Sequence, residues 1–238
     1  MNVVCIVQAR SGGTRFPGKV LKPIGRYPSL YHTLHRTQAA WFPTVLAIPW
    51  ADNELRDLGQ SWGFRVVQGP EHDVLTRYAI AADKLGADII VRITADCPLV
   101  DPAIIRQVVE PVASGKVLYA CNVRPRTYPQ GLDVEAFTFN ILEQAHREAV
   151  EPYDREHVTP KIQRLARSNV ANIAQDTNLS HHRWTLDTPE DYRFFQALAE
   201  RLTWEPPSPT AAEVLALLDA EPELAAINAE VAHIYPPA

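Results

Sequence analysis

The stretch Gln8-Ala9-Arg10-Ser11-Gly12-Gly13-Thr14-Arg15-Phe16-Pro17-Gly18-Lys19 directly follows the apolar run Val3-Val4-Cys5-Ile6-Val7. A short β-branched run that gives way to glycines predicts a buried strand ending in a tight loop. Glycines let a backbone approach a ligand closely, and Arg10, Arg15 and Lys19 add three positive charges. Together these features predict a polyphosphate cradle. The alternative is an ordinary turn with solvated charges.

The loop comes close to the P-loop of ATPases and GTPases, because Gly13, Gly18 and Lys19 match the G-x-x-x-x-G-K part of that motif. Residue 20 is Val, however, where the motif places a Ser or Thr to bind Mg²⁺. Pro23 also interrupts the long helix that should follow. A P-loop enzyme is therefore disfavoured.

Composition narrows the class of protein. The chain has 238 residues, of which 46% are hydrophobic and 21% charged, as expected for a globular protein with one good core. It has no apolar run of roughly 18 residues and no signal peptide, so we expect a cytoplasmic protein without membrane contact. Three cysteines without zinc-like spacing indicate reduced thiols. A net charge of −5 argues against a nucleic-acid partner.

Strand and helix patterns alternate along the first half of the chain. We predict strands at 3–7, 44–49, 64–67 and 88–94, and helices at 29–40, 52–61, 71–85 and 102–113. This alternation predicts an α/β fold in which helices cover both faces of a mostly parallel sheet, giving three layers. The ligand site of such a fold lies at the carboxyl ends of the strands.

The second half has a less regular pattern. We predict strands at 117–122, 132–139, 169–174 and 183–186, and helices at 140–149, 153–166 and 188–202. A proline-rich linker at 205–209 precedes two short helices. We therefore expect one domain over 1–204, followed by a linker and helical tail over 205–238.

Two aspartates are candidate Mg²⁺ ligands. Asp96 follows the strand predicted at 88–94 and would face the same sheet edge as the glycine loop. Asp187 lies between a short predicted strand and the helix start Thr188-Pro189-Glu190-Asp191. Two carboxylates and substrate phosphates make an ordinary Mg²⁺ shell. Alternatively, Asp96 only forms a turn and Asp187 only shapes the helix entry.

The segment 124–135 carries candidates for binding a second, acidic substrate. Arg124 and Arg126 precede a Pro–Gly turn, and a guanidinium clamps a carboxylate or phosphate through two hydrogen bonds. They could equally be solvated loop charges. Further polar candidates are Gln130, Asp133, Glu135, Glu156 and His157.

Six separated motifs are informative as a set. They are residues 8–21, Asp73-Val74-Leu75-Thr76-Arg77-Tyr78, Arg92-Ile93-Thr94-Ala95-Asp96-Cys97-Pro98-Leu99, Gly131-Leu132-Asp133-Val134-Glu135, Tyr153-Asp154-Arg155-Glu156-His157-Val158-Thr159, and residues 183–191. In this order they resemble the spore-coat polysaccharide biosynthesis type of cytidylyltransferase, which is related to the synthetases of CMP-linked sugar acids. The resemblance extends to the linker at 205–209. Ser11 and Gly13 depart from the common loop pattern, which has Met and Ser there.

The resemblance implies the nucleotide-diphospho-sugar transferase fold and a Mg²⁺-dependent transfer of CMP from CTP to a small acidic acceptor, with release of pyrophosphate. It implies Arg10, Arg15 and Lys19 as catalytic residues that hold the triphosphate, and Asp96 and Asp187 as Mg²⁺ ligands. The nucleotide contacts it implies are Gln8, Ala9, Arg10, Ser11, Gly12, Gly13, Lys19, Asp73, Arg77, Thr94 and Asp96. Surface polysaccharide or glycoconjugate biosynthesis is the expected setting, and relatives imply a homodimer formed through residues 119–165.

Two other functions were weighed against this one. A glycosyltransferase would use a ready-made sugar nucleotide and usually carries an Asp-x-Asp motif, whereas this chain has Asp96-Cys97-Pro98. A nucleotide-binding regulator would bind CTP without releasing pyrophosphate. The two candidate metal carboxylates count against a regulator.

Overall fold

The computed structural model describes residues 1–13 and 15–231. The strands are β1 (Val3–Gln8), β2 (Pro23–Ile24), β3 (Tyr27–Pro28), β4 (Thr44–Pro49), β5 (Arg65–Gly69), β6 (Ile89–Thr94), β7 (Tyr119–Cys121), β8 (Glu135–Thr138) and β9 (Val170–Asn172). The helices are α1 (Ser29–Gln38), α2 (Asn53–Ser61), α3 (Val74–Leu85), α4 (Pro102–Ala113), α5 (Phe139–Glu148), α6 (Pro152–His157), α7 (Thr159–Ala166), α8 (Pro189–Ala199), α9 (Ala211–Ala220) and α10 (Pro222–Ala226). None of the described helices is long and apolar enough to cross a membrane.

The main sheet has seven strands in the order β5-β4-β1-β6-β8-β7-β9. Strand β8 runs antiparallel to both of its neighbours, and the other pairs are parallel. This reversal places Glu135, the first residue of β8, beside Arg92 near the carboxyl end of β6. Residues before β8 and after β6 and β7 therefore meet at one sheet edge. The predicted mostly parallel α/β fold is confirmed.

The sheet is buried on both faces, as β1 illustrates. Cys5 and Val7 pack into one hydrophobic core, which helices α1, α4 and α8 cover. Val4 and Ile6 point the other way into a second core, which α3, α5 and α7 cover. Because successive side chains of a strand alternate between faces, the apolar run Val3–Val7 of β1 is what a three-layer arrangement requires.

Three predicted elements differ from the structure. The single helix predicted at 153–166 is two helices, because Val158 between them has φ +67° and ψ −64°, outside the helical region. The strand predicted at 183–186 does not form, since its only sheet contact is an isolated bridge between Arg183 and Gln130. The strand predicted at 132–139 is regular only from Glu135 to Thr138.

The segment 119–165 does not leave the main fold, because β7 and β8 extend the same sheet. Its predicted role in forming a homodimer stays a prediction. The tail also packs on the domain: Val214 and Leu218 of α9 and Leu224 of α10 are buried in the core beneath α8. The tail therefore shares a core with the preceding 204 residues.

Candidate active site

A cavity of about 350 Å³ opens at the carboxyl edge of the sheet. The loop after β1, the ends of β6 and α6, and the start of α3 surround it. The lining residues that the sequence predicted as nucleotide or metal contacts are Gln8, Ala9, Arg10, Gly13, Arg15, Lys19, Arg77, Thr94, Asp96 and Asp187. The glycine loop and the two aspartates thus meet in one cavity, although they are far apart in sequence.

Lys19 lies between the two aspartates. The loop folds back on itself, with the amides of Gly13 and Gly18 both donating to the carbonyl of Ser11. A single 3₁₀ turn at Lys19–Leu21 follows. The Lys19 Nζ donates to Asp96 Oδ2 at 2.8 Å and to Asp187 Oδ1 at 2.6 Å. One ammonium therefore joins the end of the β1 loop, the end of β6 and the loop before α8.

This contact favours the charged forms of Lys19 and Asp96. Burial disfavours charge on Lys19, but the two carboxylates outweigh it and raise the pKa of the lysine. Burial likewise opposes ionisation of Asp96, but the Lys19 ammonium and hydrogen bonds hold the pKa of that carboxyl well below its ordinary value. The site thus favours a positive charge on Lys19 beside a negative charge on Asp96.

The same two carboxylates suit a divalent cation. Asp96 and Asp187 both reach one nitrogen atom, so their oxygens are close enough to share one ion. Their oxygen donors are those that Mg²⁺ prefers, with waters and phosphate oxygens completing the shell. Among the described residues, no group of three or more acidic, His or Cys side chains forms a complete metal site. The arrangement therefore fits a cation that arrives with a phosphate ligand.

Two other predicted cations surround this centre. Arg15 Nη2 lies 3.2 Å from Asp187 Oδ1. Arg77 is buried and donates from Nη1 to the carbonyl of Pro70 at 2.9 Å. Burial lowers the pKa of its guanidinium, yet within the described chain it has no carboxylate partner. Arg77 is thus a buried positive charge in the cavity wall.

Three predicted nucleotide contacts do not line the cavity. Ser11 uses its amide to donate to Asp52 at 2.8 Å, and Gly12 lies near the Glu71 carboxylate, which does line the cavity. Asp73 caps α3 by accepting from the amide and hydroxyl of Thr76. Its second role is an ion pair with Arg155 at 3.3 Å. Asp73 therefore connects α3 to α6 and supports the cavity from outside.

A second cavity of about 180 Å³ adjoins the first. The two share Arg92, Thr94 and His157 in their walls. The predicted acceptor residues in the second cavity are Arg124, Arg126, Asp133, Glu135 and His157, whereas Glu156 lines the first cavity and Gln130 lines neither. Gln130 instead accepts from Arg183 Nη1 at 3.2 Å.

Two ion pairs lie in the wall of the second cavity. Arg126 donates to both oxygens of Asp133, at 2.6 and 2.7 Å. Arg92 Nη1 donates to Glu135 Oε2 at 2.5 Å, and the Tyr119 hydroxyl donates to the other oxygen at 2.5 Å. Burial opposes charge on Arg92, but the nearby Glu135 raises the pKa of the guanidinium overall. These pairs fix the shape of the cavity wall.

Sequence reasoning missed Arg92 as a site residue. Arg92 lies in the strand predicted at 88–94, and a lone arginine among isoleucines and valines in a central strand needs a charged partner. That partner is Glu135, brought next to it by the reversed strand β8. Glu71, Gln163 and Thr159, the last residue of the fifth motif, also line the cavities, although none of them was predicted as a site residue.

The loop that carries Asp187 is held from below by a buried ion pair. Arg183 donates from Nε to Asp191 Oδ1 at 2.7 Å and from Nη2 to Asp187 Oδ2 at 3.3 Å. Gly131 packs against the same loop with φ +101°, and a Cβ at this residue would lie 2.2 Å from the carbonyl oxygen of Trp184. Only glycine fits there, because both its conformation and the contact exclude a side chain.

The mostly parallel seven-stranded sheet has the nucleotide-diphospho-sugar transferase fold, with a basic loop and two carboxylates at its carboxyl edge. A family model described as cytidylyltransferase matches residues 4–213. The chain therefore belongs to the cytidylyltransferase family, and the predicted class of enzyme, a CTP-dependent nucleotidyltransferase, is confirmed.

Individual relatives agree with this family. The spore coat polysaccharide biosynthesis protein SpsF of Bacillus subtilis is 32% identical over 94% of this chain and 97% of its own. A 3-deoxy-manno-octulosonate cytidylyltransferase of Geobacter sulfurreducens is 32% identical over 53% of this chain and 51% of its own. A solved cytidylyltransferase from Leptospira borgpetersenii superposes with a TM-score of 0.88 at 28% identity, over 99% of this chain and 100% of that one.

Proposed function

We propose that this chain transfers CMP from CTP to a small acidic acceptor, releases pyrophosphate and depends on Mg²⁺. The observation that carries the proposal is the Lys19 ammonium, shared by Asp96 and Asp187 in a cavity that Arg10 and Arg15 also line. Such a centre suits a triphosphate and its cation, because it presents positive groups and hard oxygen ligands together.

In this reaction an oxygen of the acceptor attacks the α-phosphorus of CTP. A new phosphorus–oxygen bond forms as the bond to the β-phosphate oxygen breaks, and pyrophosphate takes the electron pair. No covalent bond to the enzyme is needed, so the protein acts by positioning and by charge stabilisation. Arg10, Arg15 and Lys19 would stabilise the negative charge that grows on pyrophosphate. Mg²⁺, when bound by Asp96 and Asp187, neutralises charge on the phosphate oxygens.

The second cavity is the proposed acceptor site. It shares Arg92, Thr94 and His157 with the nucleotide cavity, so an acceptor there would adjoin the reacting phosphate. Its paired arginines suit hydroxyl groups and one acidic group. The Geobacter sulfurreducens relative, named for an octulosonate, supports a sugar acid, and the Bacillus subtilis relative supports a role in polysaccharide biosynthesis. A cytoplasmic homodimer remains part of the proposal.

The test is a pyrophosphate-release screen of CTP, ATP, GTP and UTP against acidic sugars and small phosphorylated acids, with Mg²⁺. We expect release with CTP and one class of acceptor. Lys19→Ala should lower turnover at least about a hundredfold, since one charge contact in the transition state is worth several kcal/mol. Lys84→Ala, which removes an exposed lysine at the far end of α3, is the matched control. Release with ATP and not CTP would refute the proposal.

A further inference from the structure

The C-terminal tail contributes a buried polar residue to the loop that carries Asp187. Asn228 follows α10 and is 3% exposed. Its Nδ2 donates to the carbonyl of Arg183 at 2.9 Å and to Asp191 Oδ1 at 3.0 Å. This residue lies beyond residue 213, where the match to the family model ends. The contact is therefore not among those the family match assigns.

Asp191 is the centre of this arrangement. It is fully buried, and the Arg183 guanidinium donates to both of its oxygens, at 2.7 and 2.8 Å. Its Oδ2 also accepts from the backbone amides of Asp187 at 2.9 Å and Thr188 at 3.0 Å. One carboxylate thus fixes the main chain on both sides of the Asp187 side chain.

Asp187 is held by its side chain as well. Its Oδ2 accepts from Arg183, which leaves Oδ1 directed at Lys19 and Arg15 in the cavity. The orientation of Asp187 therefore depends on where Arg183 and Asp191 lie. Asn228 touches both of these residues, so a chain of direct hydrogen bonds leads from the tail to the candidate metal carboxylate.

We propose that Asn228 is a positioning residue for Asp187, so that the tail after residue 209 is part of the working active site. This inference rests on the proposed function. Groups that orient a metal-binding carboxylate typically change metal affinity or activity by about 10- to 100-fold when they are removed. Asn228 acts through Asp191 and Arg183 and lines neither the nucleotide nor the acceptor cavity.

The test compares Asn228→Ala and Asn228→Asp with Leu224→Ala. Leu224 is a buried apolar residue of α10, so its truncation loosens tail packing without removing a hydrogen bond to the loop. We expect Asn228→Ala to lower kcat about tenfold and to weaken Mn²⁺ binding to the enzyme–CTP complex by a similar factor, with KM for CTP little changed. Asn228→Asp should be worse, because its carboxylate faces that of Asp191. Leu224→Ala should lower Tm but keep kcat.

The outcomes distinguish a failure of the positioning role of Asn228 from a failure of the proposed function. If Asn228→Ala keeps the wild-type kcat and Mn²⁺ affinity, the positioning role is wrong. The same follows if Leu224→Ala lowers kcat as much as Asn228→Ala at equal loss of Tm, because tail stability alone would then explain the effect. If the wild-type enzyme itself releases no pyrophosphate with any acceptor, the proposed function fails instead, whereas altered Mn²⁺ binding in Asn228→Ala would still support the contact.

Discussion

The two adjoining cavities differ in how many of their positively charged side chains are paired with a carboxylate. In the nucleotide cavity, Arg10 and Arg77 have no carboxylate partner within residues 1–13 and 15–231, and Lys19 is shared between two acids. In the acceptor cavity, Arg126 and Arg92, which also reaches the nucleotide cavity, are each bonded to one carboxylate. Arginines that lack an acid partner can bind a polyanion directly, whereas paired ones mainly hold a shape. Arg10 and Arg77 are thus better suited to bind a polyanion than Arg92 and Arg126 are.

The largest expected effect is on stability, in the acceptor cavity. Glu135→Gln leaves the largely buried Arg92 guanidinium, whose side chain is 16% exposed, without its counter-charge. The free energy of unfolding should therefore fall by up to about 3 kcal/mol. Chemical denaturation measures it. The control is Glu143→Gln, which breaks the exposed Arg147–Glu143 pair and should cost at most about 1 kcal/mol. Equal losses in the two variants would show that the Arg92 pair is no more structural than a surface pair.

The next effect is on turnover, in the nucleotide cavity. Asp96→Asn removes a negative charge that Lys19 and the proposed Mg²⁺ share, so kcat should fall at least about a hundredfold. Steady-state pyrophosphate release measures this. Asp83→Asn, an exposed change on α3, should leave the rate near wild type. If Asp96→Asn turns over about as fast as Asp83→Asn, Asp96 does not take part in the reaction.

A smaller effect is expected on CTP binding. Arg10→Ala should weaken CTP about 10- to 100-fold, as expected for one charge-assisted hydrogen bond. Its stability should stay unchanged, because Arg10 has no ion-pair partner in the described chain. Calorimetric titration with CTP and a thermal melt measure both. Arg65→Ala, at the exposed start of β5, is the control. A large drop in Tm for Arg10→Ala would contradict this prediction, because it would show that Arg10 contributes to stability.

The smallest effect concerns the acceptor. Arg126→Ala should raise KM for the acceptor about tenfold, because the Asp133 side chain loses two of its hydrogen bonds and keeps the one from the Gly131 amide. CTP affinity should not change, since Arg126 lines only the second cavity. Initial rates with each substrate varied in turn provide the measurement. A rise in KM for CTP instead would show that the two cavities are not separate binding sites for the two substrates.

The nucleotide cavity was largely predictable from the sequence. Its parts follow strand ends, and parallel strands bring their carboxyl ends to one edge, so the loop after β1 and Asp96 had to meet. The starts of α4 and α8 were also predictable, because Asp101 and Thr188 are typical N-cap residues. Each side chain accepts a hydrogen bond from a backbone amide in the first turn of its helix. The strand pattern and the helix-capping residues were therefore enough to predict this part of the structure.

The acceptor cavity was less predictable, because it depends on long-range geometry. The pairing of Arg92 with Glu135 requires the reversal of β8, which no local pattern indicates. The break at Val158 has no glycine to mark it; a buried valine adopts φ +67°, held by the packing around it. The contribution of Asn228 was missed for the same reason, since its partners lie 37 and 45 residues earlier.

Gly131 sets a limit on how this chain can vary. Its missing side chain leaves room for the Trp184 carbonyl, three residues before Asp187. A methyl group at residue 131 would push that carbonyl away and carry the Asp187 loop with it. In a library randomised at this codon, active clones would therefore encode glycine alone, even though the residue lines neither cavity. Selection for enzyme activity would therefore act at residue 131 as selection for the absence of a side chain.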